Sequence, residues 1–277
     1  MYFICGSTHA SGLAGWKPPW PPPGVCRIDR VKALRLGETR RAIQFFEQRL
    51  TMAREISDRG GEGTALGNLG NAYLNLGEIH RSIQFSERAL LIEHETGDRR
   101  DEGAVLSNLG NAYKNLGETR RAIQFYEQQL IIVREIGDRR GEGNALGNLG
   151  NAYADLGETR RAIEFFEQAL LIDREIRDRR GAAADLGNLG SAYADLGETR
   201  RAIQFFEQAL LIDCEIGDRR GEGTDLWNIS LALDQLGERD QAIKHAEQAL
   251  IIREQIEDPN AARVRTQLAE WREQTNT

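Results

Sequence analysis

This chain has little of what catalysis and metal chemistry usually require. It carries three cysteines and four histidines in 277 residues. Cys5, Cys26 and Cys214 show neither metal-ligand spacing nor a disulfide framework, which fits a reducing cytoplasm. His9, His80, His94 and His245 are scattered, and no His-Glu-x-x-His spacing occurs. A Gly-x-x-x-x-Gly-Lys phosphate loop is also missing, so the chain is not by itself a nucleotide hydrolase. No stretch is apolar enough to span a membrane. The first residues lack a basic segment followed by an apolar run, so no signal peptide is expected. Positive charge is in deficit too: Lys and Arg total 36 against 43 Asp and Glu, a net charge of −7. A nucleic-acid binder would show a basic face instead. No catalytic residue, metal or cofactor is therefore expected.

What the chain has in abundance is self-similarity. The phrase Leu-Gly-Asn-Leu-Gly-Asn-Ala-Tyr-Ala-Asp-Leu-Gly-Glu-Thr-Arg-Arg-Ala-Ile-Glu-Phe-Phe begins at Leu146. Near copies begin at Leu66, Leu106 and Leu186, and a worn copy at Leu226, a period of 40 residues. Such a period means stacked supersecondary units. Within one unit, Leu146, Leu149, Tyr153 and Leu156 fall on one helix face. Ala162, Phe166, Ala169 and Ile176 form a similar stripe on a second helix. Gly157 and Glu158 break the two apart, and Glu158 suits the positive end of the next helix. Gly137 ends the previous helix, and Asp138 is placed to cap the next. The β-branched residues never alternate with polar ones, so strands, and with them propellers, are excluded.

The order Leu146-x-x-Leu149-Gly150-x-x-Tyr153, then Ala162-x-x-x-Phe166, resembles the tetratricopeptide repeat. Gly150 and Ala162 stand where helices meet closely, with Tyr153 and Phe166 filling the space beside them. The resemblance covers roughly residues 31–258. Two departures stand out: Leu146 replaces the family's usual Trp, and the second helix lacks a closing Pro near Arg174. Without that proline the helix can run on, which lengthens the period. The extended form is similar to repeats of kinesin light chains, spindle-orientation adaptors and the tails of bacterial signalling proteins. The resemblance implies an all-α, right-handed superhelix of hairpins that binds a protein or peptide partner in its concave groove, without catalysis. Two alternatives stand beside it: the sensor tail of a multidomain nucleotide-binding signalling protein, and a self-assembling structural module.

The expected organisation is a leader over 1–26, a half-repeat over 27–57, five repeats to residue 258, and a cap over 259–277. The leader holds Trp16, Trp20 and the run Pro21-Pro22-Pro23-Gly24, which favours an extended chain. It reads as disordered, as a start in a truncated gene, or as a docking peptide. Residues 27–36 read as the end of a first helix, with Ala33 and Leu36 in the Tyr153 and Leu156 places. Asp29 and Arg30, however, stand where Leu149 and Gly150 would be. Self-association through this half-repeat is one expectation. At the other end, Asp258-Pro259 starts a helix whose Val264, Leu268 and Trp271 form one stripe.

Candidate site residues come from what varies least in place and faces away from the Leu–Tyr stripe. Asn68, Asn108, Asn148, Asn188 and Asn228 share one position of the first helix. Asn71, Asn111 and Asn151 share another, three residues on and on the same face. The resemblance puts first helices along the groove and matches the second row to residues that hold a bound peptide. Asn both donates and accepts, so a ladder of them can grip peptide backbone; equally, one row can tie adjacent helices together. In the last repeat Trp227 and Leu231 break the ladder, either as an apolar anchor pocket or as space-fillers. The Thr159-Arg160-Arg161 and Asp138-Arg139-Arg140 phrases read as a solvated, charge-balanced face, or else as a phosphate ridge. Cys214 stands where other units have arginine and reads as an exposed thiol.

Overall fold

The structure is a computed structural model that describes residues 27–275. Among these residues there are helices and turns only. The helices are α1 (Arg27–Glu55), α2 (Arg59–Asn75), α3 (Ile79–Thr96), α4 (Arg99–Asn115), α5 (Thr119–Glu135) and α6 (Arg139–Asp155). They continue with α7 (Thr159–Glu175), α8 (Arg179–Asp195), α9 (Thr199–Ile216), α10 (Arg219–Gln235), α11 (Arg239–Gln255) and α12 (Ala261–Thr275). Each packs on the next, and each even-numbered helix from α2 to α8 also touches the even-numbered helix after it. The result is the expected right-handed superhelix, with the even helices on one surface and the odd ones on the other.

Short-range chemistry sets the helix ends. Asp138 accepts the Gly141 N–H at 3.0 Å, and Asp58, Asp98, Asp178 and Asp218 cap their helices alike. Gly157, at φ 76°, reverses the chain between α6 and α7, and the Glu158 N–H closes back on the Tyr153 carbonyl at 2.9 Å. Where the second turn lacks glycine, Ser57, Arg177 and Glu257 take the left-handed conformation at φ 57°, 60° and 54°. The seams there hold the turn tightly enough to carry that strain.

Helix pairs lock by a missing side chain. A Cβ on Gly150 would lie 2.5 Å from the Phe166 ring, so the ring occupies the space that glycine leaves. Gly110 takes Tyr126 in the same way, and Gly190 takes Phe206. In the last repeat both partners change together: Ser230 replaces the glycine and Ala246 the ring. Beside this lock, Tyr153 stacks on Phe165 with centroids 5.3 Å apart, while the Arg161 guanidinium lies 4.1 Å from the Tyr153 ring centre. Tyr113 reaches back to the preceding repeat, donating to Glu87 at 3.2 Å.

The ends differ from the sequence expectation in one respect. Helix α1 runs unbroken through Gly37, where every later unit turns. The sequence there carries Asp29 and Arg30 in place of leucine and glycine. At the other end, Asp258 accepts the Asn260 N–H at 2.8 Å and α12 starts at Ala261, as expected of a cap. Val264, Leu268 and Trp271 are all buried. The leader proposed for residues 1–26 lies outside the described residues.

Candidate functional site

The even helices present four outward places, spaced i, i+4, i+7 and i+11. On α2 these are Thr64, Asn68, Asn71 and Asn75; on α6 they are Asn144, Asn148, Asn151 and Asp155. Helical periodicity aligns them in one column per helix, so consecutive repeats produce a polar surface four residues wide. Two cavities open on it. One of about 300 Å³ lies between α1 and α2, lined by Thr39, Phe46, Asn68, Asn71 and Asn75 among others. Another of about 160 Å³ lies between α2 and α4, lined by Asn68, Asn71, Asn108, Glu93 and Asp101 among others.

The asparagines divide by what they already bind. Asn108 donates to the Gly67 carbonyl at 3.5 Å, tying α4 to α2. Asn111 accepts from the Tyr126 hydroxyl at 2.8 Å, a bond available only where the packed ring is a tyrosine. Asn68 and Asn71 are exposed, while Asn148, Asn151, Asn188 and Asn228 are half-buried. The groove edge carries a Lys114–Asp155 ion pair at 3.3 Å, which links α4 to α6.

Trp227 is not an anchor on open surface. It is buried, and its ring lies 6.2 Å from that of Trp271 on the capping helix. A terminal repeat has no successor to cover it, so the large ring meets the cap. Leu231 remains half-buried at the groove end. The arginine phrases are engaged within the solenoid. Arg161 pairs with Glu158 at 2.9 Å as well as stacking on Tyr153, and Arg139 bonds Glu142 and Glu175. Cys214 is exposed, and burial of its surroundings raises its thiol pKa.

Two features escaped the sequence reading. Leu91, Ile131, Leu171, Leu211 and Ile251 form an exposed aliphatic row, one per odd helix from α3 to α11. Buried acids also gather at several seams. Burial, then Asp173 and Asp178, pushes Asp185 up to about 8; burial, then Asp213 and Asp218, does the same to Asp225. Asp173 and Asp213 rise to about 6, chiefly through burial. Burial, then Asp101 and Asp98, pushes Glu93 up to about 7. A repeat-by-repeat alignment of the places 40 residues apart shows these substitutions, but not that the places are buried.

Profiles of the tetratricopeptide repeat match residues 61–215 in overlapping copies and residues 228–260. The chain belongs to the tetratricopeptide repeat family. Among curated proteins none matches the sequence. Solved structures of similar fold include BtubC (BKLC) from P. vanneervenii, at 20% identity and a TM-score of 0.70, over 79% of this chain and 92% of that one. A putative kinesin light chain from Podospora anserina with nearly identical TPR-like repeats gives 20% identity and 0.60, over 70% and 95%. A signal transduction ATPase with numerous domains and a tetratricopeptide repeat sensor, from Pyrococcus horikoshii, gives 20% identity and 0.75. That match covers 88% of this chain and 37% of the other. The solenoid is thus a protein-interaction scaffold by family, and among its described residues no helix is long and apolar enough to cross a membrane.

Proposed function

We propose that this solenoid is a non-catalytic cytoplasmic scaffold that holds an extended segment of a partner protein along its even-helix groove. The observation that supports this reading is the file of accessible asparagines: Asn68 and Asn71 on α2, Asn148 and Asn151 on α6, Asn188 on α8. Each carboxamide can donate to one peptide carbonyl and accept from one peptide N–H. Asn108 and Asn111 contribute less, because each has already committed one group. Leu231 offers the apolar contact at the groove end, without Trp227. The test is calorimetric affinity for the partner captured by the whole chain. Asn71→Ala with Asn151→Ala should weaken binding by about fivefold to a hundredfold, given roughly 0.5–1.5 kcal/mol per hydrogen bond. Arg160→Ala, on the opposite helices, should leave it unchanged. Loss of affinity in Arg160→Ala, with the Asn variants intact, would move the binding surface off the groove.

Self-association is a second reading, supported by the odd-helix face of α1. Phe45 and Met52 are 55% and 61% exposed there, although their counterparts Phe165 and Ile172 are covered by α6. Solution mass decides it. A third reading, the sensor portion of a nucleotide-binding signalling protein, draws on the coverage of the Pyrococcus horikoshii ATPase.

A further inference from the structure

The seam between α3 and α4 combines three residues that no counterpart has together. Glu93 stands where the other seams have Ala53, Val133, Asp173, Asp213 and Arg253. Asp101 stands where they have Gly61, Gly141, Gly181 and Gly221. Gly60 stands where Arg140 and Arg180 reach forward to the capping aspartates Asp178 and Asp218 at 3.7 and 3.6 Å. Asp173 and Asp213 are acids too, but this seam adds a carboxylate at the glycine place and has lost the arginine that would face Asp98.

One oxygen from each of Glu93, Asp98 and Asp101 lies within 4.8 Å of the other two. Glu93 is 1% exposed, and its Oε1 has no hydrogen-bond partner. Asp98 uses Oδ1 to cap Arg100 and Asp101, and Asp101 accepts from Thr64 with Oδ2 at 2.8 Å. Leaving an ionised carboxylate buried without a partner is costly, and three together repel. The cavity beside Asn68 and Asn71 includes Glu93 and Asp101 in its lining, so solvent and solutes have a path to them.

The last seam shows what the same locus accepts. Arg253, the counterpart of Glu93, is buried there with its Nη1 3.4 Å from Asp258, the counterpart of Asp98. Its Nε donates to the Gly223 carbonyl at 3.3 Å. A positive charge fits between these helices. Where the chain supplies none, we propose that the Glu93–Asp98–Asp101 cluster binds a hard divalent cation of calcium's size.

An oxygen-only cluster spread over two helix ends and a turn suits calcium. Calcium accepts six to eight oxygens in irregular geometry, whereas magnesium demands a near-ideal octahedron with shorter bonds. Carboxylate oxygens are the ligands that hard cations prefer. The positive N-terminus of α4 opposes the ion, but by about half a charge against three carboxylates.

The test uses the full chain, stripped of ions with a chelator, and titrated with CaCl2 or MgCl2 in a calorimeter with thermal unfolding in parallel. Calcium should bind once per chain, with Kd between about 10 μM and 1 mM, raise Tm, and outcompete magnesium. Glu93→Gln and Asp101→Gly should each weaken binding more than about tenfold. Gly60→Arg should weaken it as well, by returning the missing cation. Asp101→Gly restores what four other seams carry, so it settles the matter should Glu93→Gln fail to fold. The proposal is overturned by the absence of saturable heat and Tm shift at millimolar calcium. Binding that is unchanged in Asp101→Gly overturns it equally.

Discussion

The first and third seams of the solenoid differ chemically from the fourth and fifth. Ala53 and Ala65 occupy the first seam, and Val133 and Ala145 the third. In the fourth and fifth, the same places hold Asp173 with Asp185 and Asp213 with Asp225, all buried. Asp185 Oδ2 and Asp225 Oδ2 have no hydrogen-bond partner. The ends are ordered the other way. α1 leaves Phe45 and Met52 exposed, whereas α12 covers Trp227 with Trp271 and closes over the Arg253–Asp258 pair. In a solenoid each repeat contacts only its neighbours, so such local differences persist instead of averaging out. The fourth and fifth seams, with their unpartnered acids, stand nearer the covered end.

The largest expected effect comes from breaking that cap. Trp271→Ala should cost about 3–5 kcal/mol, the range for a buried aromatic, and unfolding followed by denaturant should begin in the C-terminal repeats. A loss confined to surface-substitution size would show that α12 is not part of the cooperative unit.

Raising the pH should sharpen the contrast between the fourth and fifth seams and the first and third. The unfolded chain releases the Asp185 and Asp225 protons near pH 4, and the folded chain near pH 8. The folded state therefore binds the extra protons over that window, and stability falls as pH rises through it. The loss should be on the order of 3 kcal/mol per seam. Asp185→Asn should remove one seam's share of the slope between pH 4 and 8; an identical slope in that variant would assign the dependence elsewhere.

Two glycines three residues apart should respond with opposite sign. Gly150→Ala places a Cβ 2.5 Å from the Phe166 ring and should cost about 1–3 kcal/mol. Gly147→Ala meets only Asp185 Oδ1, at 3.6 Å, and should gain up to about 1 kcal/mol from helix propensity. Equal losses in urea titrations would mean that the two faces of α6 are misassigned. The smallest effect belongs to the open end: Phe45→Ala should stay within about 0.5 kcal/mol in the monomer.

Spacing along a helix is a local property, and it was legible in the residues. The 40-residue period, the Asp caps, the Gly157 turn and the complementarity of Gly150 with Phe166 all lie within one or two helical turns of each other or in one hairpin. The outward position of the asparagine rows follows from the same periodicity. What covers a given face depends instead on the next helix, and near-identical repeats look alike until that neighbour is placed. Trp227 read either as an anchor or as a space-filler, and α12 lying against it decided for burial. Asn111 read either as a peptide contact or as a tie between helices, and the Tyr126 hydroxyl takes up its oxygen. Residues 27–36 read as the end of a separate first helix, yet α1 runs unbroken through them. The three acids at the α3–α4 seam come from two helix ends and the turn between them, and only burial by the surrounding helices turns that sequence departure into a charge problem. The amino-acid sequence by itself determined the repeat and its hairpin, because those depend on contacts within about 40 residues; tertiary structure decided which polar groups were left without partners, because desolvation requires the neighbouring helix to be in place.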